Sequence, residues 1–256
     1  MAGVRHYILG ETNWNELQHL RYDLAVLPWG ATEAHNYHLP YATDVYESEY
    51  LAAEAARLTW EAGGKVVVLP VIPFGVNTGQ ADIYLDINLN PTTQLAILDD
   101  VVATLHRQGI SKLLIFNSHG GNNFKPLVRE LGGRYPEMFI CFSNWFQALD
   151  KSHFFEQEGD HADEMETSLL LYLKPELVLP RKYWGKGGAK KFRIPALREG
   201  WAWAERQWSQ VSQDTGIGNP EFASASKGER FFKAVTEKLG DFMLELCKAD
   251  QEDLYE

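Results

Sequence analysis

The sequence predicts an α/β protein: a three-layer α/β/α architecture with a mainly parallel sheet, in a single domain. Three observations carry this reading. Apolar runs rich in Val, Leu and Ile recur without alternation, as in strands buried on both faces. Segments of helical periodicity separate them, an order that gives parallel strands joined by right-handed crossovers. The 256 residues show no repeat, low-complexity tract or linker, and their length suits one substantial core.

In chain order, residues 14–22 read as a short helix before a first strand at 24–27, whose apolar run stops at Pro28. Gly30 then permits a turn that other residues would strain. An Ala-rich helical pattern fills 45–60 and ends at Gly63-Gly64. Val66-Val67-Val68-Leu69 is the next buried strand, and the Gly-, Asn- and Asp-rich stretch 73–91 contains no predicted element. Pro91-Thr92 opens a helix that reaches His106 and closes at Gly109. A strand at 112–116, a helix to about Leu131 and a strand at 138–142 follow. Residues 163–173 form a helix that is very apolar after Glu166. A Gly- and Trp-rich region spans 182–220, and a final helix runs over 226–247.

Hydrophobic residues make up 45% and charged residues 23%, an ordinary globular composition. The net charge of −11 argues against nucleic acid or an anionic membrane as a partner, since both need clustered positive charge. Cys141 and Cys247 are the only cysteines, read as two free thiols in a reducing cytoplasm. The N-terminal residues carry no signal pattern, and no apolar run approaches the ~20 residues of a membrane span.

The chemistry concentrates after the first strand. Glu33, His35, His38 and Asp44 fall within a short stretch that lacks Lys and Arg. Carboxylate and imidazole are ligands for zinc, manganese and iron, and alternate residues of an extended segment project to one side. Glu33 and His35 therefore face a common point, to which Asp44 can return after Pro40. In open α/β sheets, sites lie beyond the C-terminal ends of strands. Glu33 and His35 follow one predicted strand and His119 another, so their loops can converge. His119 sits in Asn117-Ser118-His119-Gly120-Gly121-Asn122-Asn123. That motif lacks the Walker lysine of a phosphate loop and the Gly-x-Ser-x-Gly of a serine nucleophile. Asn122 can cap the following helix.

Asp160, His161, Asp163, Glu164 and Glu166 stand directly before an apolar helix. Capping accounts for Asp163 and covers Glu164 in part, but a cation is disfavoured at that end. A neutral His161 paired with Asp160 suits a general base or proton shuttle. Glu166, at the edge of the apolar face, needs a partner once buried, and a metal ion is one. Trp145 follows a strand end and is the tryptophan expected to wall a substrate pocket. The other tryptophans are expected in the core or at a subunit interface.

These residues resemble the creatininase (creatinine amidohydrolase) family. The resemblance lies in Pro28-Trp29-Gly30-Ala31-Thr32-Glu33-Ala34-His35 with Asp44, in Asn117-Ser118-His119-Gly120-Gly121-Asn122, and in His161-Ala162-Asp163-Glu164-Met165-Glu166-Thr167-Ser168. The tail, from Thr215-Gly216-Ile217-Gly218-Asn219-Pro220 to Lys227-Gly228, extends it. The resemblance implies a hydrolase of non-peptide or cyclic amides with two divalent ions (zinc, manganese or iron), a small-molecule amide substrate and a homohexamer. It implies Glu33, His35, Asp44 and His119 as ligands, with Asp44 bridging, and His161 as the catalytic histidine. Asp160 and Glu164 join His161 as candidate catalytic groups, and Trp145 and Asn122 are the candidate substrate contacts. Two departures stand out. Creatininase has a ligand glutamate where this chain has Gly121, leaving Glu166, or else Glu164, to complete the second ion's shell. Residues 78–93 also lack a histidine that many relatives carry. The family includes formamide deformylases and a peptide-maturation peptidase. A formamide deformylase of the same family is one alternative, and a metal-stabilised binding or assembly subunit without turnover is the other.

Overall fold

Every residue of β1 (Leu24–Trp29) and β3 (Lys112–Asn117) is buried, and their alternate side chains feed two separate cores. With β2 (Val66–Val68) and β4 (Phe139–Asn144) they form one parallel sheet in the order β2-β1-β3-β4. The computed structural model describes residues 4–256.

On one face, Leu24, Val26, Leu114 and Phe116 pack against α2 (Thr43–Glu61), α5 (Glu164–Leu173) and α8 (Ala225–Lys248), through residues such as Leu51, Leu169 and Phe231. On the other, Ala25, Leu27, Trp29, Leu113 and Ile115 meet Leu98 and Val102 of α3 (Pro91–Arg107) and Phe124 and Leu127 of α4 (Phe124–Arg134). These are the three predicted layers. Each fully buried Leu or Phe contributes about 1.5–3 kcal/mol of transfer free energy. Lys112 ties sheet to helix: its ammonium donates to the carbonyls of Leu246 (2.9 Å) and Cys247 (3.1 Å), at the negative end of the α8 dipole.

Two expectations are corrected here. The helix expected over 14–22 is a single turn, α1 (Trp14–Leu17), with Trp14 exposed and no residue buried. Without an apolar face to dock, so short a helix cannot offset its nucleation cost. Gly30 serves close approach rather than a left-handed turn. A Cβ there would lie 2.8 Å from the backbone of Asp44 and Val45, where α2 begins.

The Gly- and Trp-rich region holds two short helices, α6 (Pro195–Arg198) and α7 (Trp208–Val211), and β6 (Ile217–Gly218), which pairs antiparallel with β5 (Gly159–His161). No helix among the described residues is long and apolar enough to cross a membrane.

Candidate metal centre

β1 and β3 end in register, Trp29 opposite Asn117, so the loops carrying Glu33 and His119 leave the sheet side by side. The first loop reverses at Asn36, which adopts a left-handed φ of 54°. It then enters α2, whose first turn presents Asp44. From the opposite side, β5 delivers His161 and the first turn of α5 delivers Glu166.

The side chains of Glu33, His35, Asp44, His119, His161 and Glu166 converge in the interior, Glu166 being the most exposed at 9%. Their donor atoms form three overlapping triads, each within 4.8 Å: Glu33–Asp44–His119, His35–Asp44–Glu166 and Glu33–His35–His161. His119 Nδ1 lies 2.8 Å from Glu33 Oε1 and 3.0 Å from Asp44 Oδ2. His35 Nε2 lies 2.9 Å from Asp44 Oδ1 and 4.0 Å from Glu166 Oε2. His161 Nδ1 lies 3.8 Å from Glu33 Oε1.

The other nitrogen of each ring faces a backbone carbonyl: His35 Nδ1 on Glu33 (3.1 Å), His119 Nε2 on Val76 (3.0 Å) and His161 Nε2 on Ala34 (2.8 Å). A carbonyl only accepts, so those nitrogens carry the proton and the inward nitrogens present lone pairs. This is how metal-binding histidines are oriented. Inward lone pairs facing carboxylates repel unless a cation lies between them. Asp44 Oδ2 accordingly finds no hydrogen-bond donor. The donor set therefore fits hard or borderline divalent ions, and Asp44, in two triads, is placed to bridge two of them.

The electrostatics agree. Burial would lower the pKa of His35, but the adjoining Asp44 carboxylate pushes it up to about 10. His119 is raised well above the usual histidine range, where the charges of Glu33 and Asp44 outweigh burial. Glu33 is held below the carboxylate range because His119 and His161 overcome its desolvation. Burial pushes Glu166 up to about 8. His161 is lowered by burial and by the positive charge of His35. Positive charge is thus favoured at the inward nitrogens of His35 and His119, the places an ion would take.

The remaining candidates lie elsewhere. Asp160 alternates with His161 along β5, so it points outward, exposed, onto Arg206 at 2.7 Å. Glu164 is fully buried, but Lys227 and the amides of Glu156 (2.9 Å) and Gln157 (2.8 Å) saturate it. Trp145 is a core residue, 1% exposed, packed on Phe146 and Phe231. Its indole N–H donates to Ser118 Oγ at 2.6 Å, bracing the His119 loop from behind. Asn122 is spent internally, accepting from Val76 N and Gln94 Nε2 and donating to Asn117. Its bond to the Val76 amide holds the residue whose carbonyl His119 faces. His38 also leaves the cluster, with Nε2 on Thr167 Oγ1 (2.9 Å) and its ring stacked on Trp184.

Three site residues escaped the sequence reading. Gln80 donates to Glu33 Oε2. Asp86 accepts from Ala34 N at 2.7 Å, and burial pushes its pKa up to about 7. Both lie in the aperiodic stretch 73–91, where only its richness in polar residues hinted at a role. Glu47, one turn after Asp44, is fully buried with neither oxygen partnered. Burial, with Glu166 and Asp44 nearby, raises it well above the carboxylate range.

Gly121 matters for what it excludes. A Cβ there would stand 2.3 Å from Val76 O and 2.4 Å from His119 Nε2. This backbone has no room for a side chain at 121, so a carboxylate for the His35–Asp44 side must come from elsewhere, and Glu166 is there.

Comparison with known proteins places these features in a family. A Bacteroides fragilis protein, provisionally assigned as a creatinine amidohydrolase, shares 43% identity over 98% of this chain and 99% of its own, with a TM-score of 0.91. Creatininase complexed with creatine, in a mutant form, is 21% identical and has the same fold, with a TM-score of 0.76 over 94% and 98% of the two chains. The mycofactocin precursor peptide peptidase of Mycobacterium tuberculosis is 28% identical over 225 residues, 83% of this chain and 81% of that protein. Residues 10–243 match the creatininase (creatinine amidohydrolase) family as a whole, and the chain belongs to that family.

Proposed function

We propose that this protein is a metal-dependent amidohydrolase that cleaves a non-peptide or cyclic amide C–N bond in a small molecule. The observation that carries the reading is the triad set around Asp44, with three histidines oriented by backbone carbonyls. Glu33, Asp44 and His119 would hold one ion, and His35, Asp44 and Glu166 a second, of zinc, manganese or iron. Such ions polarise a carbonyl and acidify water.

The chain's own groups supply the rest. His161, neutral and anchored through Nε2, offers Nδ1 as the proton acceptor and returns the proton to the departing nitrogen. Gln80 fixes the rotamer of Glu33 through Oε2, leaving Oε1 turned inward. The half-buried Asp86 lies at the edge of the same loop pair, pinned by Ala34 N.

The mycobacterial relative is a peptidase, so peptides belong among the substrates tried. The test is a panel of cyclic ureides, lactams, formamides and short peptides, assayed with zinc, manganese or iron restored. Turnover of a non-peptide amide is expected. A fully metallated protein inert to every member would instead favour a binding or assembly subunit. A homohexamer accompanies this reading, supported by the exposed Trp14 and Trp201. Light scattering that gives a monomer at micromolar concentration would remove the assembly without touching the chemistry.

A further inference from the structure

On the outer side of the β5–β6 ribbon lies a cavity of about 850 Å³, within the range of small-molecule sites. Lys190, Lys191, Arg193 and Arg198 line it, in a chain whose net charge is −11. None of the four has a carboxylate or hydrogen-bond partner for its side chain among the described residues. The two acidic residues on the wall are engaged. Asp160 is paired with Arg206, and Glu205 accepts from Thr78 Oγ1 at 3.1 Å. Uncommitted positive charge therefore dominates the cavity.

Its other surfaces are aromatic. Phe192 and Trp203 line it, and Trp203 is 82% exposed, so its ring is open to contact from the cavity. The wall is also firmly seated. The Arg206 guanidinium lies 4.5 Å over the Trp208 ring, whose edge meets His161 at 5.2 Å between centroids. Gly79 approaches so near to Arg206 that a Cβ there would strike its carbonyl.

We propose that this cavity is a binding site for an organic anion, a carboxylate or phosphate carried on a flat apolar body, separate from the buried metal cluster. The cations take the charged group and the aromatic side chains cover the body. This is the division of labour expected where a guanidinium meets an oxyanion beside an aromatic ring.

Calorimetric titration of the zinc-loaded full chain tests it, with phenyl phosphate, benzoate and neutral benzyl alcohol as probes. One anion per chain should bind saturably, more weakly at high salt, while benzyl alcohol does not bind. The tighter of the two anions identifies the oxyanion chemistry. Arg193→Gln with Arg198→Gln should weaken binding roughly tenfold or more. These side chains are exposed, so the fold should be unaffected, and an unchanged Tm verifies it. Trp203→Ala should weaken binding independently. His119→Ala should leave it intact, which separates this cavity from the metal cluster. The proposal is overturned if neither anion saturates, if the double variant binds as wild type does, or if binding disappears in His119→Ala.

Discussion

His35 Nε2 stands 2.9 Å from Asp44 Oδ1 with both side chains withdrawn from solvent, while the opposite nitrogen of the same ring is committed to the Glu33 carbonyl. A neutral ring so oriented points a lone pair at a carboxylate. The contact is tolerable only with a cation between the two atoms, either a proton or a metal ion. The His119–Asp44 contact at 3.0 Å poses the same demand on the other oxygen. One carboxylate thus requires positive charge on both sides.

Metal should therefore stabilise the fold strongly. At a free ion concentration a hundredfold above the dissociation constant, binding adds about 2.7 kcal/mol. For a chain of this length that raises Tm by roughly 5–10 °C. Scanning calorimetry before and after chelation, and again after zinc or manganese is restored, measures it. An identical Tm in all three states would contradict the site.

Glu164 is predicted to be structural. Its carboxylate closes a buried ion pair with Lys227 and caps two amides. Removing one member of such a pair costs about 3–5 kcal/mol. Glu164→Gln should lower the urea midpoint sharply, yet leave metal content and kcat per folded molecule near wild type. A stable but inactive variant would return Glu164 to the catalytic set.

Trp145 is likewise predicted to be structural. Losing its indole bond to Ser118 and part of its packing, Trp145→Phe should cost about 1–3 kcal/mol. KM should change little, because the ring lies behind the His119 loop. A tenfold rise in KM with stability preserved would mean that the ring reaches substrate after all.

His38 sets a pH dependence. Burial, assisted by the charge of His35, lowers its pKa to about 4, against 6.5 for the free side chain. Between those values the unfolded chain binds the proton and the folded chain does not, so stability rises with pH across this window. Full at neutral pH, this contribution is lost as pH falls from about 6.5 to about 4, amounting to about 3 kcal/mol at most. His38→Gln keeps the bond to Thr167 and should flatten the slope. Denaturation at pH 7 and pH 4.5, at matched metal content, decides it, and equal slopes would refute the assignment.

Much of this was legible beforehand, for reasons the structure makes plain. The unbroken apolar runs of β1 and β3 marked strands covered on both faces, and Glu33, His35 and His119 follow closely on their ends. Glu164 and Glu166 were harder to separate on composition alone. Helical geometry does separate them, since two residues along a helix differ by about 200° in direction. Strand alternation likewise turns Asp160 away from His161. Gln80 and Asp86 had no such handle. Their bonds to Glu33 and Ala34 join positions 47 and 52 residues apart, through a stretch without periodicity, and only the tertiary fold creates them.

The most exacting prediction concerns Glu166. Asp163 already caps α5, accepting from the amides of Met165 (2.9 Å) and Glu166 (3.0 Å), so Glu166 is not needed there. No lysine or arginine is paired with it among the described residues, and its one hydrogen-bond donor is the Ala162 amide. Gly121 cannot be replaced by glutamate without displacing His119. Glu166 is thus the carboxylate on hand for the His35–Asp44 position. Glu166→Gln retains size and the Ala162 bond but removes the charge that would hold an ion. The variant should fold, keep about one metal per chain against two expected in wild type, and lose turnover by roughly a hundredfold or more. Gly121→Ala should act from the other side, pressing on His119 and weakening the Glu33–Asp44 position first. Elemental analysis with kinetics on both variants tests the pair, and two retained metals with full activity in Glu166→Gln would exclude Glu166 as a ligand.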